Sequence, residues 1–148
     1  VIGKRDVSFL DDKKFPDIVF CNIEMNDQRG NIVRRWDARA FEWIGIENGW
    51  CPPHTGLVLS RQVYIEHLPY VEKFCIAADY DFMVRLIKKC TDYSFFDECL
   101  VSMSTGGMST SIKNFKRIFW EDVQVTRLHR LHFWVPLLKR AIKIGQLF

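Results

Sequence analysis

The feature that most constrains the fold is an amphipathic segment at residues 77–89. Its apolar residues recur at the spacing of one helix face, at Phe82, Met83, Leu86 and Ile87. Two acids, Asp79 and Asp81, fall where the first turn of such a helix would lie. Carboxylates are favoured there because of the unpaired N–H groups and the helix dipole. The pattern therefore predicts a helix that begins near Asp79.

Shorter patterns on either side of this helix predict a mixture of strands and helices. Two β-rich runs, at residues 17–23 and 33–36, flank a turn-forming segment at 26–31, and this arrangement predicts a β-hairpin. Between the hairpin and the long helix, the sequence predicts a short helix at 41–46 ended by Asn48 and Gly49, a loop at 51–54, a strand at 55–59 and a helix at 61–67. After the long helix it predicts two strands, at 93–96 and 100–103. A long final helical region follows, capped by Ser109, Thr110 or Ser111 and broken or kinked at Pro136. The expected fold class is α/β with helices appended.

Composition limits the class of protein further. The chain has 148 residues, of which 48% are hydrophobic and 26% are charged, so we expect one globular domain. Five cysteines occur at irregular spacing without a CxxC pair, which argues against a disulfide framework and a structural zinc site. No apolar run is long enough to span a membrane, and the first residues do not resemble a signal peptide. These observations favour reduced cysteines and a cytoplasmic location.

Positive charge is concentrated at the C-terminal end. Residues 111–148 carry eight basic residues against Glu121 and Asp122, whereas the rest of the chain has a small excess of acids. This asymmetry indicates either an anionic partner or a solvated helix face. No nucleic-acid reading motif accompanies it, so nucleic acid is not an expected partner.

The same tail carries an apolar stripe with alternating spacings of three and four residues, at Leu128, Leu131, Val135, Leu138 and Ile142. Such a stripe packs on the parent domain, on a second subunit of a homodimer, or on a membrane surface as a peripheral contact. His129 and His132 could share a metal ion, but two ligands make no site, so we interpret both as surface histidines.

Asp79 and Asp81 are the clearest candidates for chemistry. A carboxylate at a helix start can accept a proton from a hydroxyl group presented there. The residues alone also allow a structural interpretation, in which Asp79 caps the helix and Asp81 pairs with Arg85 one turn later. Both interpretations stay open at this point.

Several motifs occur together in a suggestive order. They read A-A-D-Y-D-F-M-V-R-L-I-K-K at residues 77–89, Y-S-F-F-D-E-C-L-V at 93–101, G-G-M-S at 106–109, D-I-V-F-C-N at 17–22 and P-H-T-G-L-V-L-S-R-Q-V-Y at 53–64. Taken in chain order, they resemble the C-terminal half of bacterial family 2 glycosyltransferases, of the kind that builds colanic acid, capsule and lipopolysaccharide sugars. The resemblance runs from about Asp17 to Ser109.

This resemblance implies a GT-A fold and transfer of a sugar from a nucleotide-sugar to an acceptor hydroxyl, with inversion, on a glycan or a lipid-linked acceptor. Asp79 matches the catalytic base of that family. The implied substrate-binding positions are His54, on a loop that lines the acceptor side, Asp81, and the pair Gly106 and Gly107, where the backbone can approach the donor.

One part of the family pattern is missing. The N-terminal half of these enzymes should supply a nucleotide-binding region and an acidic pair for Mn²⁺ or Mg²⁺. Asp11 and Asp12 resemble that pair superficially, but the segment before Asp17 is too short for the helix that should follow. We therefore assign no metal ligand in this chain and expect Mn²⁺ or Mg²⁺ only in the complete enzyme.

The expected organisation is an acceptor-side half of a GT-A domain at residues 1–110 and a basic amphipathic helical tail at 111–148. Without a donor half, this chain alone is expected to be inactive, and peripheral contact with the inner face of the plasma membrane is a further expectation. The alternative, from a different class of function, is a non-catalytic interaction module that docks on a membrane or partner through the tail.

Overall fold

A computed structural model describes residues 16–67, 70–90, 92–104 and 114–145. The chain divides into two compact units, one of residues 1–40, 52–68 and 89–105, and one of residues 41–51, 69–88 and 106–148. In chain order the elements are β1 (Ile18–Asn26), β2 (Ile32–Trp36), α1 (Phe41–Ile44), β3 (Leu57–Leu59), α2 (Arg61–His67), α3 (Ala78–Lys89), β4 (Tyr93–Ser104), α4 (Phe115–Leu128) and α5 (Val135–Gly145). Short 3-10 helices lie at Ala38–Ala40, Ile46–Asn48 and His54–Gly56. The predicted α/β class is confirmed.

The first unit is a four-stranded mixed sheet built around β1. This strand pairs antiparallel with β2 and β3 and parallel with β4, which follows it along its whole length. Four consecutive residues of β1, Ile18 to Cys21, are buried, so this part of the strand is covered on both faces of the sheet. The predicted hairpin is confirmed in β1 and β2, and the helix predicted at residues 61–67 has those bounds as α2.

The two strands predicted at 93–96 and 100–103 form one strand, β4, and that prediction was wrong. In its register with β1, Phe96 pairs with Cys21 and Cys99 pairs with Asn22, so two exposed acidic residues lie outside the ladder between them. The Asn22 side chain stabilises this irregularity. Its Nδ2 group donates to the Asp97 carbonyl oxygen at 2.7 Å, and its Oδ1 atom accepts from the Ala38 N–H at 2.7 Å.

The second unit is helical. The buried face of α3 includes Phe82, Met83 and Leu86, which confirms the helix predicted from their spacing. The short helix predicted at 41–46 is α1, which ends at Ile44, so its predicted end at Asn48 and Gly49 was misplaced. Gly49, with a left-handed φ of 79°, instead ends the 3-10 helix Ile46–Asn48. A Cβ atom there would lie 2.6 Å from Cγ1 of Val135, so both conformation and space require glycine.

The predicted long final helical region is two helices in the described part of the tail. The break lies at residues 129–134, where Arg130 has a φ of 53°, and not at Pro136. Pro136 is the second residue of α5, in the first turn, where its missing N–H costs no helical hydrogen bond. The predicted caps Ser109, Thr110 and Ser111 lie outside the described residues. No helix within the described ranges is long and apolar enough to cross a membrane.

Candidate active site

Asp79 lies in the first turn of α3. The helix begins at Ala78, so Asp79 is its second residue and not the residue that precedes it. Its side chain is half-buried, whereas the next residue, Tyr80, is buried. The sequence forms a helix here because the apolar residues after Asp79 fall on one face and pack in the core of the second unit. This packing fixes the direction of the turn that carries the carboxylate.

Asp81 is an anchor for this helix. None of its surface reaches solvent, and its carboxylate accepts hydrogen bonds from Nε of Arg85 at 2.9 Å and from Nε2 of His129 at 2.7 Å. The predicted pairing of Asp81 with Arg85 is therefore confirmed. Both carboxylate oxygens are occupied within the unit, so the side chain has no surface with which to touch a substrate. The predicted substrate-binding role of Asp81 receives no support from this burial.

His129 comes from the residue that follows α4. Its side chain is 12% exposed and bonded to Asp81, so the interpretation of His129 as a surface histidine was wrong. His132 stacks on the ring of Trp134, with 4.3 Å between the ring centroids. The two histidines therefore have different contacts.

A second carboxylate, Glu121 of α4, holds the loop that leads into α3. Its Oε2 atom accepts backbone hydrogen bonds from Cys75 at 3.1 Å, Ile76 at 2.7 Å and Ala77 at 2.9 Å. Its Oε1 atom accepts from Nε of Arg117 at 2.9 Å. One side chain thus binds three consecutive N–H groups directly before the helix that carries Asp79.

The pKa of Glu121 reflects these opposing influences. Burial acts to raise it, but the backbone hydrogen bonds from Ala77 and Ile76 and the guanidinium of Arg117 favour the charged form, and the pKa lies below the ordinary value of 4.5. Glu121 is therefore ionised near neutral pH, as a carboxylate that receives several N–H groups should be.

Asp122, next to Glu121, forms a third buried charged contact. It accepts from Nζ of Lys139 at 2.6 Å, and the same ammonium group lies 3.2 Å from the ring centroid of Tyr80. Burial raises the pKa of the Tyr80 hydroxyl, and Cys51, Asp122 and Glu47 raise it further. Three helices, α3, α4 and α5, thus meet through charges within the second unit.

The other predicted site residues lie elsewhere. His54 is exposed at the start of a 3-10 helix in the first unit, after two buried prolines. Gly106 and Gly107 lie outside the described residues, as do Asp11 and Asp12. Across the described ranges, no three His, Cys, Asp or Glu side chains cluster in a way that could hold a metal ion.

The first unit holds one pair of groups with potential reactivity. Sγ of Cys90 lies 3.3 Å from Nε2 of His67. Burial raises the pKa of the Cys90 thiol, and the carboxylates of Asp17 and Glu66 raise it further. Both influences favour the protonated form of the Cys90 thiol. All five cysteines are described, and none forms a disulfide.

Sequence reasoning missed the residues that position Asp79. Glu121, Asp122 and His129 lie more than 30 residues after the end of α3. Their contacts with the loop before α3, with Lys139 and with Asp81 are set by tertiary packing. One signal was present, because Glu121 and Asp122 are the two acids of a basic tail, and Glu121 stands four residues after Arg117.

With this geometry in hand, we compared the chain with protein-family models, with curated proteins and with solved structures, and found no match in any of the three.

Proposed function

We propose that this chain is the acceptor-side part of an inverting glycosyltransferase, with Asp79 as its general base. The observation that carries the proposal is the contrast between two acids in one turn. Asp81 is fully buried and bound by Arg85 and His129, whereas Asp79 is half-buried at the start of the same anchored helix. A general base needs a fixed direction and access to a substrate, and the anchored helix together with the partial exposure of Asp79 supports the assignment.

The chemistry follows from the resemblance to family 2 glycosyltransferases. Asp79 takes the proton of the acceptor hydroxyl as its oxygen forms a bond to the anomeric carbon of the donor sugar. The bond from that carbon to the phosphate oxygen breaks, and the nucleoside diphosphate leaves with the electron pair. Attack from the face opposite the leaving group inverts the anomeric configuration, and Asp79 then releases its proton to water.

Replacement of Asp79 by Asn tests the role of the base. The experiment uses the protein at the full length at which the cell makes it, a panel of radiolabelled nucleotide-sugars, Mn²⁺ and a membrane lipid or glycan extract as acceptor. We expect Asp79→Asn to lower the transfer rate by about 10²- to 10⁴-fold, the range for loss of a general base. Nucleotide binding, measured by calorimetry, should change little.

Asp92→Asn is the matched control, since Asp92 is an exposed aspartate outside α3. Its rate should equal that of the wild-type protein. Transfer by Asp79→Asn at close to the wild-type rate would show that Asp79 is not the base. Absence of transfer by the wild-type protein with every donor, together with absence of nucleotide binding, would contradict the glycosyltransferase proposal itself.

A second candidate function, a non-catalytic docking module, is favoured by the exposed apolar side chains of α5 and the turn before it. Deletion of the whole tail cannot separate the two functions, because Glu121 and His129 hold α3 and its preceding loop. Loss of α4 should disorder the helix that carries Asp79, and point variants on the exposed face are therefore required.

A further inference from the structure

The turn before α5 and the first part of α5 expose an unusual apolar surface. Its members are spaced by four residues in two rows, Phe133, Leu137 and Ala141 in one and Trp134 and Leu138 in the other, and together we name them the α5 apolar face. Phe133 is 83% exposed and Leu137 is 61% exposed. Val135 and Pro136, which follow Trp134 in the sequence, are buried and anchor the helix in its unit.

The sequence segment that carries this face has charge of one sign. From residue 123 to residue 148 the sequence has no Asp or Glu but has five basic residues, at positions Arg127, Arg130, Lys139, Arg140 and Lys143. Arg127 and Arg130 are exposed at the end of α4 and in the turn that leads to α5. Lys139 is bound to Asp122 and contributes to folding instead. Exposed arginines therefore precede an exposed aromatic pair by only a few residues.

We propose that the α5 apolar face docks on an anionic lipid surface. Phe133 and Leu137 would enter the boundary between headgroups and acyl chains, Trp134 would lie at headgroup level, and Arg127 and Arg130 would contact lipid phosphates. The short helix lies along the surface and does not cross it. The proposal is independent of the glycosyltransferase assignment, since binding to vesicles requires no sugar transfer.

A second copy of this chain fits the same face less well. In a symmetric dimer the same patch of each subunit meets its counterpart, so the cations of one tail would face those of the other. No acid after Asp122 is available in either tail to pair with them. An anionic bilayer instead supplies negative charge everywhere on the surface and needs no matching shape.

Co-sedimentation with large unilamellar vesicles tests the proposal. One set is pure phosphatidylcholine, and the other is an equal mixture of phosphatidylcholine and phosphatidylglycerol. We expect the protein to bind the mixed vesicles at low salt, to bind the neutral vesicles poorly, and to be released as salt is raised. No sedimentation with mixed vesicles at low salt would overturn the proposal.

Two variants separate the apolar and charged contributions. Phe133→Ser with Leu137→Ser should weaken partitioning at least about tenfold, because apolar surface no longer leaves water. Arg127→Gln with Arg130→Asn should weaken it about 30-fold at low salt, given roughly 1 kcal/mol per basic residue near an anionic surface. Asn is chosen at position 130 because it tolerates the left-handed backbone there.

Ile65→Ser is the matched control, since Ile65 of α2 is 60% exposed, almost the same as Leu137. It should bind vesicles like the wild-type protein. Equal binding by the Phe133 and Leu137 variant would show that another surface carries the affinity and would overturn the proposal. The wild-type protein could instead form a dimer at low salt that does not bind vesicles, while the variant with Phe133→Ser and Leu137→Ser stays monomeric. That result would identify a second copy of the chain as the partner of the α5 apolar face and would overturn the proposal.

Discussion

Strand β1 and helix α3 are both buried, but they are held by opposite kinds of interaction. The buried side chains of β1 are apolar, and its polar backbone is satisfied by three neighbouring strands. The start of α3 also has apolar neighbours, but its position is fixed by carboxylates, Asp81 within it and Glu121 from α4. An apolar strand is held when its side chains fill the core and its backbone pairs in register with neighbouring strands. A helix start that must hold a carboxylate in one direction is stabilised further by directional, charge-assisted hydrogen bonds.

This contrast predicts that the largest loss of stability follows from truncation in the strand. Phe20 has no exposed surface, and its ring lies 5.8 Å from the rings of both Tyr93 and Phe95. Phe20→Ala should lower the free energy of unfolding by about 4 kcal/mol, because a cavity replaces a large core side chain. Urea denaturation followed by circular dichroism measures the loss.

Phe133→Ala is the control for this change, since it removes the same atoms from an exposed position. Its effect should stay within about 0.5 kcal/mol. If Phe20→Ala lowers the free energy of unfolding by less than about 1 kcal/mol, the core around β1 collapses to fill the cavity and the prediction is wrong.

The charged anchor of α3 predicts a somewhat smaller loss. Glu121→Ala removes the acceptor of three backbone N–H groups, of which the one at Ala77 is buried, and should cost about 3 kcal/mol. Glu121→Gln keeps one oxygen acceptor and should cost about half as much. Glu72→Ala, at an exposed glutamate of the same unit, should change the free energy of unfolding little. Equal losses for Glu121→Ala and Glu72→Ala would contradict the anchoring role.

The depressed pKa of Glu121 adds a pH dependence. Because the pKa is lower in the folded protein than its ordinary 4.5, the charged carboxylate stabilises the fold fully above 4.5. That contribution is lost as the pH falls through the folded-state value. The difference in unfolding free energy between the wild-type protein and Glu121→Gln should thus be largest near neutral pH and should shrink in acid. Urea midpoints of both proteins at neutral and acidic pH test this, and a constant difference would refute it.

Sequence reasoning reached the elements with strong local signals. The apolar spacing after Asp79 predicted α3, and the segment at 61–67 predicted α2. It failed at β4, where the pattern predicted two strands, at 93–96 and 100–103, with Asp97 and Glu98 between them. The structure instead places them at an irregularity in one strand. Local patterns cannot distinguish the two because the pairing register depends on a distant strand.

The candidate site was predicted only in part, for a related reason. The pairing of Asp81 with Arg85 is one helical turn long and could be read from spacing. The bond from His129 to Asp81 joins residues 48 apart, and no local pattern encodes it. Partly buried and exposed histidines look alike in sequence, so only the tertiary partner shows that His129 contacts α3.

The smallest expected effect compares two arginine–aspartate pairs, one in each unit. Nε of Arg85 lies 2.9 Å from Oδ2 of fully buried Asp81, whereas Arg39 lies 3.2 Å from Asp97 with both side chains well exposed. A double-mutant cycle with Arg39→Gln and Asp97→Asn should give a coupling energy of about 0.5 kcal/mol or less, which added salt abolishes. The cycle with Arg85→Gln and Asp81→Asn should give a larger, less salt-sensitive coupling, because solvent screens that pair less. Equal couplings would mean that burial of Asp81 adds nothing to the anchoring of α3.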